Sequence, residues 1–130
     1  MVGLLVVSHS ADAARGIRDI AVEMGGADAH IRAVGGDVDG GIGTSVNDIQ
    51  AALEELLAET DGVVVLADLG SAVMNAEHAI EALGVEDRVV VADAPVLEGA
   101  LNAAVAAASP SATLGGVREM AEEAGETSKT

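Results

Sequence analysis

The sequence predicts a small doubly wound α/β fold, with one parallel four-stranded sheet and helices on both of its faces. Three observations carry that expectation. Short, continuously apolar segments rich in Val and Leu recur at residues 2–7 and 63–67, as strands do when both faces are covered. Between them lie segments with apolar residues at helical spacing. Strand and helix alternate along the chain, which implies right-handed βαβ units. Four strands within the first 92 residues fit the order 2-1-3-4.

The first strand ends on Ser8-His9-Ser10. Asp12 is a plausible N-cap for a helix over 13–24, with Ile17, Ile20, Ala21 and Met24 at helical spacing and Gly25-Gly26 as its stop. A short second strand spans 29–34. Residues 35–43 form a loop with five glycines and two aspartates. Thr44 or Ser45 caps the next helix, which runs to about Ala58 with Ile49, Leu53, Leu56 and Leu57 inward. Asp61-Gly62 is a turn signal before the third strand, which ends on Asp68-Leu69-Gly70-Ser71. Ser71 is placed to cap a helix over 72–83. A fourth strand spans 88–92, and a helix spans 97–108, weakened by Gly99. Ser109-Pro110 reads as an N-cap followed by proline at the first helical position of a last helix, interrupted by Gly115-Gly116. Residues 1–124 are expected to form one domain and 125–130 a disordered tail. A sheet this small leaves an exposed edge and apolar helix faces, so a homodimer is expected.

Composition narrows the function. The 130 residues carry 22 acidic and 6 basic side chains, a formal net charge of −16. Such a surface repels nucleic acid and anionic membranes, and the absence of Phe, Tyr and Trp removes stacking platforms for single strands. Half of the residues are hydrophobic, which opposes disorder. Abundant Asp, Glu, Ala and Val with one lysine, Lys129, suits a halophilic protein that folds in concentrated salt, where charge is screened over a few Å. Cysteine is absent, so there is neither a disulfide framework nor a thiolate metal site. No apolar run reaches the roughly 18 residues that span a bilayer, and no basic leader precedes the first strand. The expected location is the cytoplasm.

In open parallel sheets, function sits just past the carboxyl ends of the strands. With strands two and three flanking strand one, His9, Asp68 and the loop Gly40-Gly41-Ile42-Gly43-Thr44 meet on one rim. A carboxylate on one imidazole nitrogen fixes the tautomer and leaves the other lone pair free to attack. Amides and hydroxyls of Gly, Ser and Thr at helix N-termini, Ser10 among them, favour an anion such as a phosphoryl group. Together they favour phosphoryl transfer through phosphohistidine over hydrolysis. Blander readings stand beside this one: a polar residue at a strand end for His9, a cap or turn for Asp68, and a helix-capping turn for the glycine loop, which lacks the lysine of a P-loop.

Four motifs in register, VVSHS, GGIGTSV, DLGSA and APVLEGAL, resemble the DhaM family, the phosphoryl-donor subunits of phosphoenolpyruvate-dependent dihydroxyacetone kinases. The first domain of that family is similar to the EIIA domain of mannose-type sugar phosphotransferase systems, and the match covers about residues 1–110. The resemblance implies a dimeric EIIA-mannose-like fold. It implies that His9 takes a phosphoryl group from the phosphocarrier HPr, itself charged by Enzyme I, and passes it to ADP bound in the partner subunit DhaL. The resulting ATP would then serve DhaK. Asp68 would orient His9, and Gly43, Thr44, Gly70 and Ser71 would line the phosphoryl pocket. Relatives that carry HPr-like and Enzyme I-like domains after this one differ from this chain, which would rely on separate carriers. Two alternatives remain: a mannose-type EIIA domain serving a sugar permease, and a regulatory module that binds without transferring phosphate.

The other candidates read as structural. His30 begins the second strand, away from the rim. His78 lies on a helix face with Glu77 and Glu81. His9, His30 and His78 share no metal-ligand spacing, so no metal and no resident cofactor is expected. Met24, Met74 and Met120 read as core or interface filler. Glu54, Glu55, Glu59, Glu122 and Glu123 read as solvated helix faces. Glu98 either neighbours the site or caps its helix. Arg15 either reaches an anion or partner, or pairs with Asp12 or Asp19. Leu69, Val73 and Val96 are candidates for apolar docking contacts, since salt screens long-range steering.

Overall fold

The apolar runs become the strands of a sheet, and the segments between them become helices that cover both faces. The structure, a computed structural model, describes residues 1–26 and 28–130. The elements are β1 (Val2–Ser8), α1 (Ala11–Gly25), β2 (Ile31–Gly35), α2 (Val46–Leu57), β3 (Gly62–Ala67), α3 (Gly70–Leu83), β4 (Val89–Val91), α4 (Val96–Ala107) and α5 (Leu114–Glu123). The four strands are all parallel, in the order β2-β1-β3-β4 expected from the sequence. In register, Leu4 of β1 lies between Ile31 of β2 and Val64 of β3.

Side chains of the central strands alternate between two cores, as the pleat requires. Leu4, Val6, Val64 and Leu66 pack under Ala14 and Ala21 of α1, Ala100 and Ala103 of α4, and Val117 and Ala121 of α5. Leu5, Val7, Val63 and Val65 pack under Ile49, Leu53 and Leu56 of α2 and Ala72, Ala76 and Ile80 of α3. Small helix residues let the backbones sit close to the sheet. Gly99 is the extreme case: a Cβ there would lie 2.9 Å from the Ala94 Cβ and 3.1 Å from a Leu66 methyl. The residue that weakened the helical expectation is the one that lets α4 settle on β3.

Several boundaries differ from expectation. The N-cap of α1 is Ser10, whose hydroxyl accepts from the Ala13 N–H, and Asp12 falls in the first turn. The buried face of α1 runs through Ala14 and Ala21, so Ile20 (48% exposed) and Met24 (52%) lie off the core. Met74 (60%) and Met120 (37%) are also outside it. β2 is displaced toward the loop, because its ladder with β1 begins at Ile31 and continues to Gly35. Ser45, not Thr44, caps α2 by accepting from the Asp48 N–H. The N-cap of α3 is Leu69, with no side-chain capping bond. Ser109-Pro110 is a turn in which the Ser109 hydroxyl accepts from the Ser111 N–H. The last helix starts later, capped by Thr113 on the Gly116 N–H, so Gly115-Gly116 is its first turn and not an interruption. A 3-10 turn spans Ala124–Glu126, and the Lys129 ammonium pairs with Glu98 in the first turn of α4.

Candidate active site

Parallel register brings the ends of β1 and β3 side by side, and there the chain turns from apolar to polar. The Asp68 N–H makes the last backbone contact of this ladder, donating to the Val7 carbonyl at 3.2 Å. Beyond it, the Asp68 carboxylate gathers four donors. Oδ2 accepts from the Ser8 hydroxyl at 2.9 Å and the His9 N–H at 3.0 Å. Oδ1 accepts from the Leu69 N–H at 2.8 Å and lies 3.0 Å from His9 Nδ1. Burial alone would raise the pKa of Asp68. The hydrogen bonds from the His9 N–H, the His9 ring and the Ser8 hydroxyl outweigh it and hold the carboxyl below the usual range.

An ionised carboxylate only accepts, so Nδ1 carries a hydrogen, and in the neutral ring Nε2 then keeps its lone pair. Nε2 lies 2.7 Å from Ser71 Oγ, so in that tautomer it accepts from the Ser71 hydroxyl. The His9 side chain is 20% exposed and that of Asp68 21%. The ring is thus held on one side by a carboxylate and reaches the rim at Nε2, beside the Ser71 hydroxyl.

The other residues singled out from the sequence surround this pair in different ways. Ser10 caps α1, and its N–H donates to the Ser8 hydroxyl at 3.2 Å. The Gly43 N–H donates to the His9 carbonyl at 2.9 Å, so it holds the backbone of His9. Thr44 accepts from the Asn75 amide, which ties the end of the β2–α2 loop to α3. Gly70 and Ser71 form the first turn of α3, where N–H groups have no intrahelical partner and favour an anion. Ser71 is therefore a ligand of the ring and not a helix cap.

Sequence reasoning passed over Ser8, Asn75 and Asp37. Ser8 is buried at 4% and bonded to Asp68; its one signal is a hydroxyl ending an otherwise apolar strand. Asn75 and Asp37 act through contacts across the fold and within a loop, which no spacing reveals. His30 pairs with Glu59 at 3.3 Å at the opposite end of the sheet, and His78 is exposed on α3. Arg15 pairs with Asp12. Of the three apolar docking candidates, Leu69 is exposed at 59%, whereas Val73 and Val96 pack against the two cores. Among the described residues, no group of three or more His, Asp or Glu side chains is arranged to hold a metal ion.

Known proteins share this arrangement of chain. Residues 3–115 match the EIIA-man family, described as the PTS system fructose IIA component. The chain is 36% identical over 107 residues to the phosphoryl donor subunit DhaM of PEP-dependent dihydroxyacetone kinase 2 from Listeria innocua serovar 6a, covering 81% of this chain and 85% of that protein. It is 33% identical over 121 residues to the phosphotransferase subunit DhaM of the PTS-dependent dihydroxyacetone kinase from Lactococcus lactis, covering 93% and 94%. The DhaM of Escherichia coli is 38% identical over 114 residues, which are 84% of this chain and 24% of that longer protein. Among solved structures, one of an unknown function protein, EF1359, superposes with a TM-score of 0.85 at 31% identity, covering 99% of this chain and 98% of that one. A phosphotransferase system EIIA component from Streptococcus agalactiae superposes at 0.70 with 17% identity, over 97% and 93%, and shares the fold. The chain belongs to the EIIA-man family and, within it, to the DhaM phosphoryl donor subunits.

Proposed function

We propose that this chain is the phosphoryl donor subunit of a phosphoenolpyruvate-dependent dihydroxyacetone kinase and that His9 Nε2 carries the phosphoryl group. The observation that supports this best is the His9 ring bonded to Asp68 through Nδ1, with Nε2 at the rim beside Ser71. The Nε2 lone pair attacks the phosphorus of phosphorylated HPr; the Nε2–P bond forms as the bond to the HPr nitrogen breaks. Asp68 keeps the Nδ1 proton in place and offsets the positive charge that develops on the ring. In the return step a β-phosphate oxygen of ADP, bound in DhaL, attacks the same phosphorus. The Nε2–P bond breaks, and ATP forms for DhaK to use on dihydroxyacetone. The first turn of α3, with the Gly70 and Ser71 N–H groups, supplies donors for the transferred oxygens. The Ser10 and Thr44 hydroxyls lie on the same rim, and Gly43 supports it by donating its N–H to the His9 carbonyl. The working form is a homodimer in the cytoplasm. No helix among the described residues is long and apolar enough to cross a membrane.

Reconstitution tests this reading. The chain is combined with Enzyme I, HPr, phosphoenolpyruvate, DhaL, DhaK and dihydroxyacetone in concentrated potassium chloride, and dihydroxyacetone phosphate is measured. We expect formation that requires this chain and stops with His9→Ala. Labelling of His9 with no dihydroxyacetone phosphate would assign the chain to a sugar permease instead.

A further inference from the structure

The β2–α2 loop is pinned at both ends to the segment that carries His9. At its start, Gly35 lies so close to the β1–α1 junction that a Cβ would sit 2.5 Å from the Ser10 carbonyl oxygen and 2.8 Å from the Ala11 Cα. At its end, the Gly43 N–H donates to the His9 carbonyl. Between these pins the loop has little core to hold it: Val38 is 79% exposed and Ile42 76%. Asp37 closes it instead. Its N–H donates to the Gly41 carbonyl, and its carbonyl accepts from the Gly40 N–H, both at 3.0 Å. Its Oδ1 accepts from the N–H of Asp39 at 2.9 Å and of Gly41 at 2.8 Å. Gly43, at a φ of 149°, packs directly on it, since a Cβ there would lie 3.1 Å from the Asp37 Cβ.

We propose that Asp37 is a positioning residue for phosphoryl transfer at His9: it staples the β2–α2 loop, sets the Gly43 N–H, and through that N–H fixes the backbone from which the His9 ring projects. This rests on His9 being the phosphoryl acceptor. The hydrogen bonds of the Asp37 carboxylate go to its own loop, so its effect reaches the reaction through Gly43. A displacement of about 1 Å in a reacting group costs up to roughly a hundredfold in rate.

The test measures the rate of phosphate transfer from charged HPr to the intact chain, beside thermal melting of each variant. Asp37→Ala should label about tenfold more slowly with a wild-type melting temperature. Asp37→Asn, which keeps the accepting oxygen, should restore the rate. Gly43→Ala should be slow as well, and combining it with Asp37→Ala should slow transfer no further, as expected for two changes acting through one contact. Asp37→Ala labelling at the wild-type rate would overturn the positioning role and leave the phosphotransfer reading standing. So would a slow, low-melting Asp37→Ala that asparagine does not rescue. Wild type left unlabelled beside charged HPr would overturn both.

Discussion

Asparagine at position 68 keeps the shape of the side chain and removes its charge, which isolates what the carboxylate does for His9. In the wild type, two oxygens receive four donors: the Ser8 hydroxyl, the His9 N–H, the His9 Nδ1–H and the Leu69 N–H. An amide offers one accepting oxygen. If that oxygen faces the ring and the Leu69 N–H, the NH2 meets the His9 N–H, donor against donor. If it faces Ser8 and the His9 N–H, the NH2 meets the Leu69 N–H and donates to Nδ1, so the ring hydrogen moves to Nε2 and the nucleophilic lone pair is lost. Either way a charge-assisted hydrogen bond of about 1.5–3 kcal/mol is forfeited. At about 1.4 kcal/mol per factor of ten, labelling of Asp68→Asn should slow roughly tenfold to a hundredfold or slightly more. Quench-flow phosphate transfer gives the rate, and nitrogen NMR of the labelled ring gives the tautomer. The stability difference has a definite sign as well. Asp68 is held below the usual carboxylate range, so its contribution is complete above the unfolded-state value and is lost as pH falls through the folded value. In urea titrations, the advantage of wild type over Asp68→Asn should stay constant above about pH 5 and shrink below about pH 4. An unchanged transfer rate with the wild-type tautomer pattern would refute the orienting role.

Ser71→Ala removes the hydroxyl at Nε2 without touching a helix cap, so melting should be unchanged and labelling roughly twofold to tenfold slower; faster labelling would mean the hydroxyl only blocks the lone pair. Gly35→Ala forces a Cβ against the Ser10 backbone, where nothing flexible can yield, and should cost about 1–3 kcal/mol in urea denaturation; a wild-type midpoint would contradict the close approach. Raising potassium chloride from about 0.1 M to about 1 M shortens the screening length from about 10 Å to about 3 Å, so a chain with 22 acidic groups should melt at a higher temperature. Melting that ignores salt would contradict the halophilic reading.

Much of the fold was legible because continuous apolar segments have one good use in a chain this short, as strands buried on both faces. The order of the strands followed from their alternation with helices. Boundaries were harder where two residues could serve one role. Ser10 and Asp12 are both good N-caps, and the choice falls on Ser10 because the β1 ladder ends at Ser8 and the chain turns at once. Ser71 looked like a cap for the same chemical reason, but its hydroxyl is drawn to the ring by the register of β1 and β3. The pairing of His9 with Asp68 was visible because each directly follows the end of a strand on a shared rim. The Asp37 staple, the Thr44–Asn75 tie and the buried Ser8 hydroxyl were not, since each depends on a close contact that only the folded backbone creates.

Intact mass of the purified chain after incubation with Enzyme I, HPr and phosphoenolpyruvate in concentrated potassium chloride tests the central claim most directly, with wild type and His9→Ala run side by side. We expect one acid-labile phosphate on wild type and none on His9→Ala. Wild type without phosphate, in a mixture where HPr is shown to be charged, would contradict phosphoryl transfer through His9.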